Sequence, residues 1–110
     1  MPKLKHLRTQ AFHKQEGRCY YCGLPMWLGS PPPLDAVGRR KYSASPSLRC
    51  TAEHLVAKCD GGKNLPDNIA AACEFCNRRR HRRKCALPPE AFRALVVSRM
   101  NRGKWHGTRL

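Results

Sequence analysis

The chain has 110 residues, with 22 Lys plus Arg against seven acids and a formal charge of +15. That length allows one small domain with a thin core, of the size that a bound metal or disulfides commonly stabilise. The charge opposes compaction unless a polyanion neutralises it, which favours nucleic acid over an anionic membrane surface as the partner. No apolar run approaches the roughly 20 residues of a membrane span.

The opening MPKLKHLRTQ is basic and leads into no apolar signal-peptide core, so a cytoplasmic setting is expected. Residues 1–18 read as an N-terminal helical segment. Within LRTQAFHKQEG, Thr9 is expected to cap the start, Ala11 and Phe12 offer apolar contacts, and Gly17 supplies the stop. Residues 19–85 form the expected core unit, which begins with CYYCG, the tight turn of a metal knuckle. Residues 23–48 carry Pro25, Pro31, Pro32, Pro33 and Pro46 with several Gly and Ser. They read as a loop or insertion, with a short strand expected near Met26 to Leu28.

Strand character returns from Arg49 to Ala57, and Gly61-Gly62 makes a turn. NLPDNIAAACEFCNRRRHRRK then passes from a second cysteine turn into a helix expected over Glu74 to Lys84. Residues 86–110 are expected to hold a C-terminal helix and a basic tail. In PPEAFRALVVSRMNRG the prolines open the helix and Glu90 suits the first turn. Phe92, Leu95, Val96 and Met100 share a face before Gly103.

Seven cysteines without a secretion signal point to a reducing compartment and to metal binding in place of disulfides. Cys19-x2-Cys22 and Cys73-x2-Cys76 can supply four thiolates in the tetrahedral geometry of a closed structural zinc site. With 50 residues between Cys22 and Cys73, the ion would clip together the two ends of the module. A rival set, Cys73, Cys76, His81 and Cys85, resembles a retroviral-type knuckle with one spacing a residue short. It leaves Cys19 and Cys22 unused, so the four-cysteine set is preferred. Cys50, Cys59 and Cys85 then read as small apolar residues or unused thiols.

Glu53-His54 at a strand end, Gly61-Gly62, Asn68, Cys73, Cys76 and Asn77, with Cys19 and Cys22 upstream, stand in a specific order. This order resembles the HNH endonucleases, whose core is the ββα-metal or His-Me finger. The resemblance covers residue 19 to about residue 84. It implies a small α+β fold with a structural zinc and flanking helices, acting as a metal-dependent endonuclease on DNA. By resemblance, His54 is the general base, a role suited to an imidazole, which ordinarily titrates near pH 6.5. Glu53 and Asn77 would hold a catalytic Mg²⁺ or Mn²⁺, and Asn68 would brace the loop and orient His54. Three positions depart from the commoner pattern: Glu53 where Asp is usual, Asn77 where His is usual, and Ala57 near a frequent proline.

If the segment is helical, His81, four residues after Asn77, shares its face and is a further candidate metal ligand; a DNA-facing or solvated histidine in an arginine run is the alternative reading. Glu53 and His54, as strand neighbours, point to opposite faces unless the strand bends or ends there. The run containing Arg78, Arg79, Arg80, Arg82, Arg83 and Lys84 is expected to grip backbone phosphates without reading sequence. A non-enzymatic reading, a basic zinc-ribbon module that binds DNA or RNA, explains the charge and cysteines but not Glu53, His54, Asn68 and Asn77. Restriction, homing and phage packaging roles, within larger bacterial or phage machinery, stay open.

Overall fold

In the computed structural model, residues 3–38 and 44–106 are described; parts of the expected loop (39–43) and basic tail (107–110) lie outside them. The first helix, α1, spans Leu4–Lys14 and buries Leu7 and Ala11. It starts earlier than Thr9, which lies inside it and donates from Oγ1 to the Lys5 carbonyl at 3.0 Å. The expected Thr9 cap is therefore replaced by Lys3, whose side chain makes no capping bond. The end of α1 is tightly built: Glu16 N–H donates to His13 O at 3.1 Å and Gly17 N–H to Phe12 O at 2.8 Å. Glu16 (φ 56°) and Gly17 (φ 75°) both adopt the left-handed conformation that this Schellman-type closure uses.

Two strands follow, β1 (Cys50–His54) and β2 (Ile69–Cys73), paired antiparallel with Glu53 opposite Ala70 and His54 opposite Ile69. Every residue of β2 is buried, so IAAAC shows no polar–apolar alternation. Helix α1 packs on both strands, as does α2 (Glu74–Arg80). Small alanines permit that close approach. The free edge of β2 is satisfied by a side chain: Gln15 donates to Ala71 O at 2.8 Å and accepts from Ala71 N at 2.9 Å. Met26 to Leu28 forms no strand; Trp27 makes only an isolated bridge to Arg49.

The order β1–β2–α2 gives a small α+β fold with a two-stranded sheet. Helix α2 is shorter than expected, ending at Arg80 with His81 at its C-cap. Helix α3 (Pro89–Asn101) begins at the prolines and buries Phe92 and Val96. Phe92 meets Tyr21 edge-on at 4.9 Å between ring centres. It also closes on Trp105 at 6.1 Å, so α3 and the residues after it complete the core.

Candidate active site and metal centre

The two cysteine pairs converge. Sγ atoms of Cys19, Cys22, Cys73 and Cys76 all lie within 4.8 Å of one another, and Cys22 Sγ sits 3.9 Å from Cys73 Sγ. Tetrahedral zinc with bonds near 2.3 Å sets sulfur–sulfur edges of about 3.8 Å, so the cluster fits such an ion. Backbone amides already point at the sulfurs. Tyr21 and Cys73 N–H donate to Cys19 Sγ at 3.4 and 3.3 Å, and Cys76 N–H donates to Cys73 Sγ at 3.4 Å. Hydrogen bonds from neighbouring thiols, Cys19 first, hold Cys22 far below the ordinary thiol range. Hydrogen bonding with the other cysteines, Cys19 first, keeps Cys73 and Cys76 well above it. The four cysteines are positioned to bind a metal ion. Of the remaining thiols, Cys50 is buried, which pushes it up to about 11, while Cys59 and Cys85 are exposed.

Glu53 is 1% exposed yet carries a carboxylate, so its contacts matter. Oε2 accepts from Tyr21 Oη at 2.8 Å and from Arg80 Nη1 at 3.0 Å. Oε1 meets His81 Nε2 at 2.8 Å, and the His81 side chain is 33% exposed. One carboxylate oxygen is thus clamped inside and the other faces a histidine at the surface. Metal bonds near 2.1 Å at right angles set ligand atoms about 3.0 Å apart, so Oε1 and Nε2 have the spacing of adjacent ligands of a small divalent ion.

Asn77 lies on α2 beside them. Its Nδ2 donates to Thr51 Oγ1 at 2.9 Å and to Ala52 O at 3.2 Å. Thr51 spends its own proton on Ala72 O at 2.6 Å, so both partners accept and the amide orientation is fixed. Among the described residues no hydrogen bond reaches Asn77 Oδ1.

Strand β1 stops at His54, and the two neighbours face different surroundings. His54 Nε2 pairs with Asn64 Oδ1 at 2.8 Å. An amide oxygen only accepts, so Nε2 carries the proton and the lone pair is on Nδ1. Asn68, expected to brace the loop and orient His54, makes loop contacts, and no hydrogen bond to the His54 ring is among those of the described residues. Its Oδ1 accepts from Val56 N at 2.8 Å, and Nδ2 donates to Val56 O at 3.1 Å and Lys63 O at 3.0 Å. Gly62 packs so closely that an added Cβ would lie 1.7 Å from Val56 O.

Arg80 departs most from its expected phosphate-gripping role. The residue is 3% exposed, and its guanidinium also donates to the carbonyls of His54 at 2.9 Å, Leu55 at 2.8 Å and Leu87 at 3.1 Å. It is an internal strut under the site. Arg78, Arg79, Arg82, Arg83 and Lys84 are exposed. Arg78 pairs with Glu74 at 3.2 Å, and the Arg79 guanidinium lies 4.8 Å above the Phe75 ring. Arg78, Arg79, Arg82 and His81 line a cleft of about 740 Å³ along α2 and its end.

Sequence reasoning missed Tyr21, Asn64 and the structural part played by Arg80. Tyr21 lies inside the first cysteine knuckle, and its contact with Glu53 spans 32 positions, a relation no local pattern carries. Burial and the adjacent Glu53 charge raise its phenol far above the ordinary tyrosine range.

No helix among the described residues is long and apolar enough to cross a membrane. No curated protein shows a significant match to the chain. Residues 40–83 match the family model of the HNH endonucleases, which points to nuclease-type chemistry on nucleic acid. That stretch holds both strands, α2 and the second cysteine pair. Over residues 40–83 the chain is thus similar to the HNH endonuclease domain, and its four-cysteine cluster is compatible with the zinc-containing type.

Proposed function

We propose that this protein is a metal-dependent endonuclease that hydrolyses DNA phosphodiester bonds, built around a structural zinc held by Cys19, Cys22, Cys73 and Cys76. The observation that carries the reading is the end of β1: a tautomer-fixed His54 next to a Glu53 that offers one oxygen toward His81. His54 accepts a proton from the attacking water at Nδ1, while Asn64 holds the ring through Nε2. Glu53 Oε1, His81 Nε2 and Asn77 Oδ1 would hold a Mg²⁺ or Mn²⁺, which when bound supplies positive charge for the crowded phosphate. As a ligand, His81 would present Nε2 without its proton.

Asn68 and Gly62 fix the loop that carries Asn64. Arg78, Arg79 and Arg82 grip phosphates along the cleft, and the exposed Arg83 and Lys84 add charge beyond it, so DNA is held mainly by its backbone. Work in a bacterial or phage-infected cytoplasm, within restriction or packaging machinery, is consistent with such a small nuclease and belongs to the same proposal.

A second reading is favoured by one contact. Arg80 and Tyr21 already neutralise and saturate Glu53 Oε2, as they would in a non-cleaving nucleic-acid-binding module. Supercoiled plasmid incubated with the zinc-loaded protein, with and without Mg²⁺ or Mn²⁺, separates the two. Divalent-dependent nicking supports the nuclease; plasmid retarded in the gel yet intact with every metal leaves the binding module.

A further inference from the structure

Four thiolates around a divalent ion leave a net charge of −2 in a largely buried site, and N–H donors must offset it. The knuckle backbones serve only half of the sulfurs: Cys19 receives two amides and Cys73 one. Among the described hydrogen bonds, Cys22 and Cys76 receive no backbone amide. Both are served from 29 residues or more away, by consecutive side chains beyond α3. Trp105 Nε1 donates to Cys76 Sγ at 3.3 Å, and His106 Nε2 lies 3.4 Å from Cys22 Sγ.

The choice of histidine at position 106 is otherwise unfavourable. The residue is 8% exposed, its buried Nδ1 has no partner among the described residues, and its backbone sits at φ 65°, a conformation that non-glycine residues rarely adopt. Its ring stacks on Phe75 at 4.6 Å and 27°, a contact that a phenylalanine would make without an orphaned nitrogen. What histidine alone adds there is the Nε2–H that faces Cys22.

We propose that Trp105 and His106 form a clasp on the metal centre, each donating an N–H to the one sulfur of each cysteine pair that the backbone leaves uncovered. The ion and the segment after α3 then hold one another. Charge-assisted N–H···S bonds strengthen when the sulfurs are ionised by the metal, and an intact clasp offsets the excess negative charge that would otherwise favour protonation of the sulfurs and loss of the ion. Arg79 gains from the same arrangement, since its guanidinium rests on Phe75 and Trp105 at 4.8 and 6.0 Å. The inference rests on reading the cluster as a zinc centre.

His106→Phe tests it, because the stack on Phe75 survives while the donor is lost. Metal content is measured first; wild-type protein without zinc would remove the zinc reading itself. With zinc present, release to a chromogenic chelator is followed after rapid mixing. Partners of metal ligands commonly matter ten- to a hundred-fold, so release from His106→Phe is expected to be about ten-fold faster. In the cobalt-substituted protein, the thiolate-to-metal charge-transfer band should move to lower energy, because an unbonded thiolate gives up its electron more readily. A merely structural histidine would leave that band in place. If His106→Phe does not fold, Trp105→Phe gives the same two readings at Cys76. Wild-type release rates together with an unmoved band, in whichever variant folds, would overturn the proposal.

Discussion

Arg80→Met separates an internal strut from a phosphate-gripping arginine more cleanly than any other substitution in this chain. The guanidinium pairs with Glu53 where the two side chains are 3% and 1% exposed. Removing one member of a buried ion pair typically costs about 3–5 kcal/mol, because the other charge is stranded. The carbonyls of His54, Leu55 and Leu87 lose their donor as well, so the upper end of that range is expected. Small domains are stable by only about 5–15 kcal/mol, so a third or more of the stability would go. The thermal midpoint should fall by roughly 10–20 °C, measured with zinc in excess.

Arg83→Ala is the matched control at an exposed position. It should leave the stability within about 0.5 kcal/mol of wild type, while reducing the salt slope of DNA binding by about one. If Arg80→Met melted like wild type and lost DNA affinity in the manner of Arg83→Ala, the buried-strut account would be wrong.

Other outcomes follow from the same geometry. Cys76→Ser should lose the ion and the fold together, since structural zinc contributes about 10–16 kcal/mol in finger peptides; folded, zinc-free Cys76→Ser by elemental analysis and circular dichroism would contradict this. Tyr21 holds its proton beyond pH 10, where an unfolded tyrosine gives it up, so its contribution to stability is complete below about pH 10 and declines as pH rises. Tyr21→Phe should cost about 1–3 kcal/mol near neutrality and flatten that alkaline decline; urea midpoints from pH 8 to 10.5 that fall equally in both proteins would dismiss the idea. Gly62→Ala places a methyl 1.7 Å from a carbonyl oxygen and should destabilise the protein more than Gly61→Ala. Around Gly61 there is open space, and only its φ of 89° is strained. Equal melting temperatures for the two variants would refute that ranking.

The parts of this structure that depend on residue type at short spacing were legible in the sequence. The two cysteine pairs announce themselves because thiolates at x2 spacing suit one ion, and α3 is announced by its prolines and its Phe92–Val96 face. Strand β2 was less legible, since IAAAC lacks alternation and alanine favours helix; burial between α1 and α2 overrides that propensity. Arg80 looks identical to its five basic neighbours in a linear reading, and only the end of α2 turns it inward. The two asparagines near the loop divide their work in a way spacing does not reveal: Asn64 reaches the His54 ring, and Asn68 reaches the backbone. Trp105 and His106 sit in what reads as a basic tail, because their partners lie 29 and 84 positions away.

The central claim is that His54 accepts a proton from water during DNA cleavage. Single-turnover cleavage of a plasmid by wild type and His54→Ala, at equal zinc content and saturating Mn²⁺, tests it most directly. General-base catalysis is typically worth about 10²–10⁴ in rate, so His54→Ala should be slower by that factor while retaining its fold and its affinity for DNA. Equal rates in the two proteins would contradict the account.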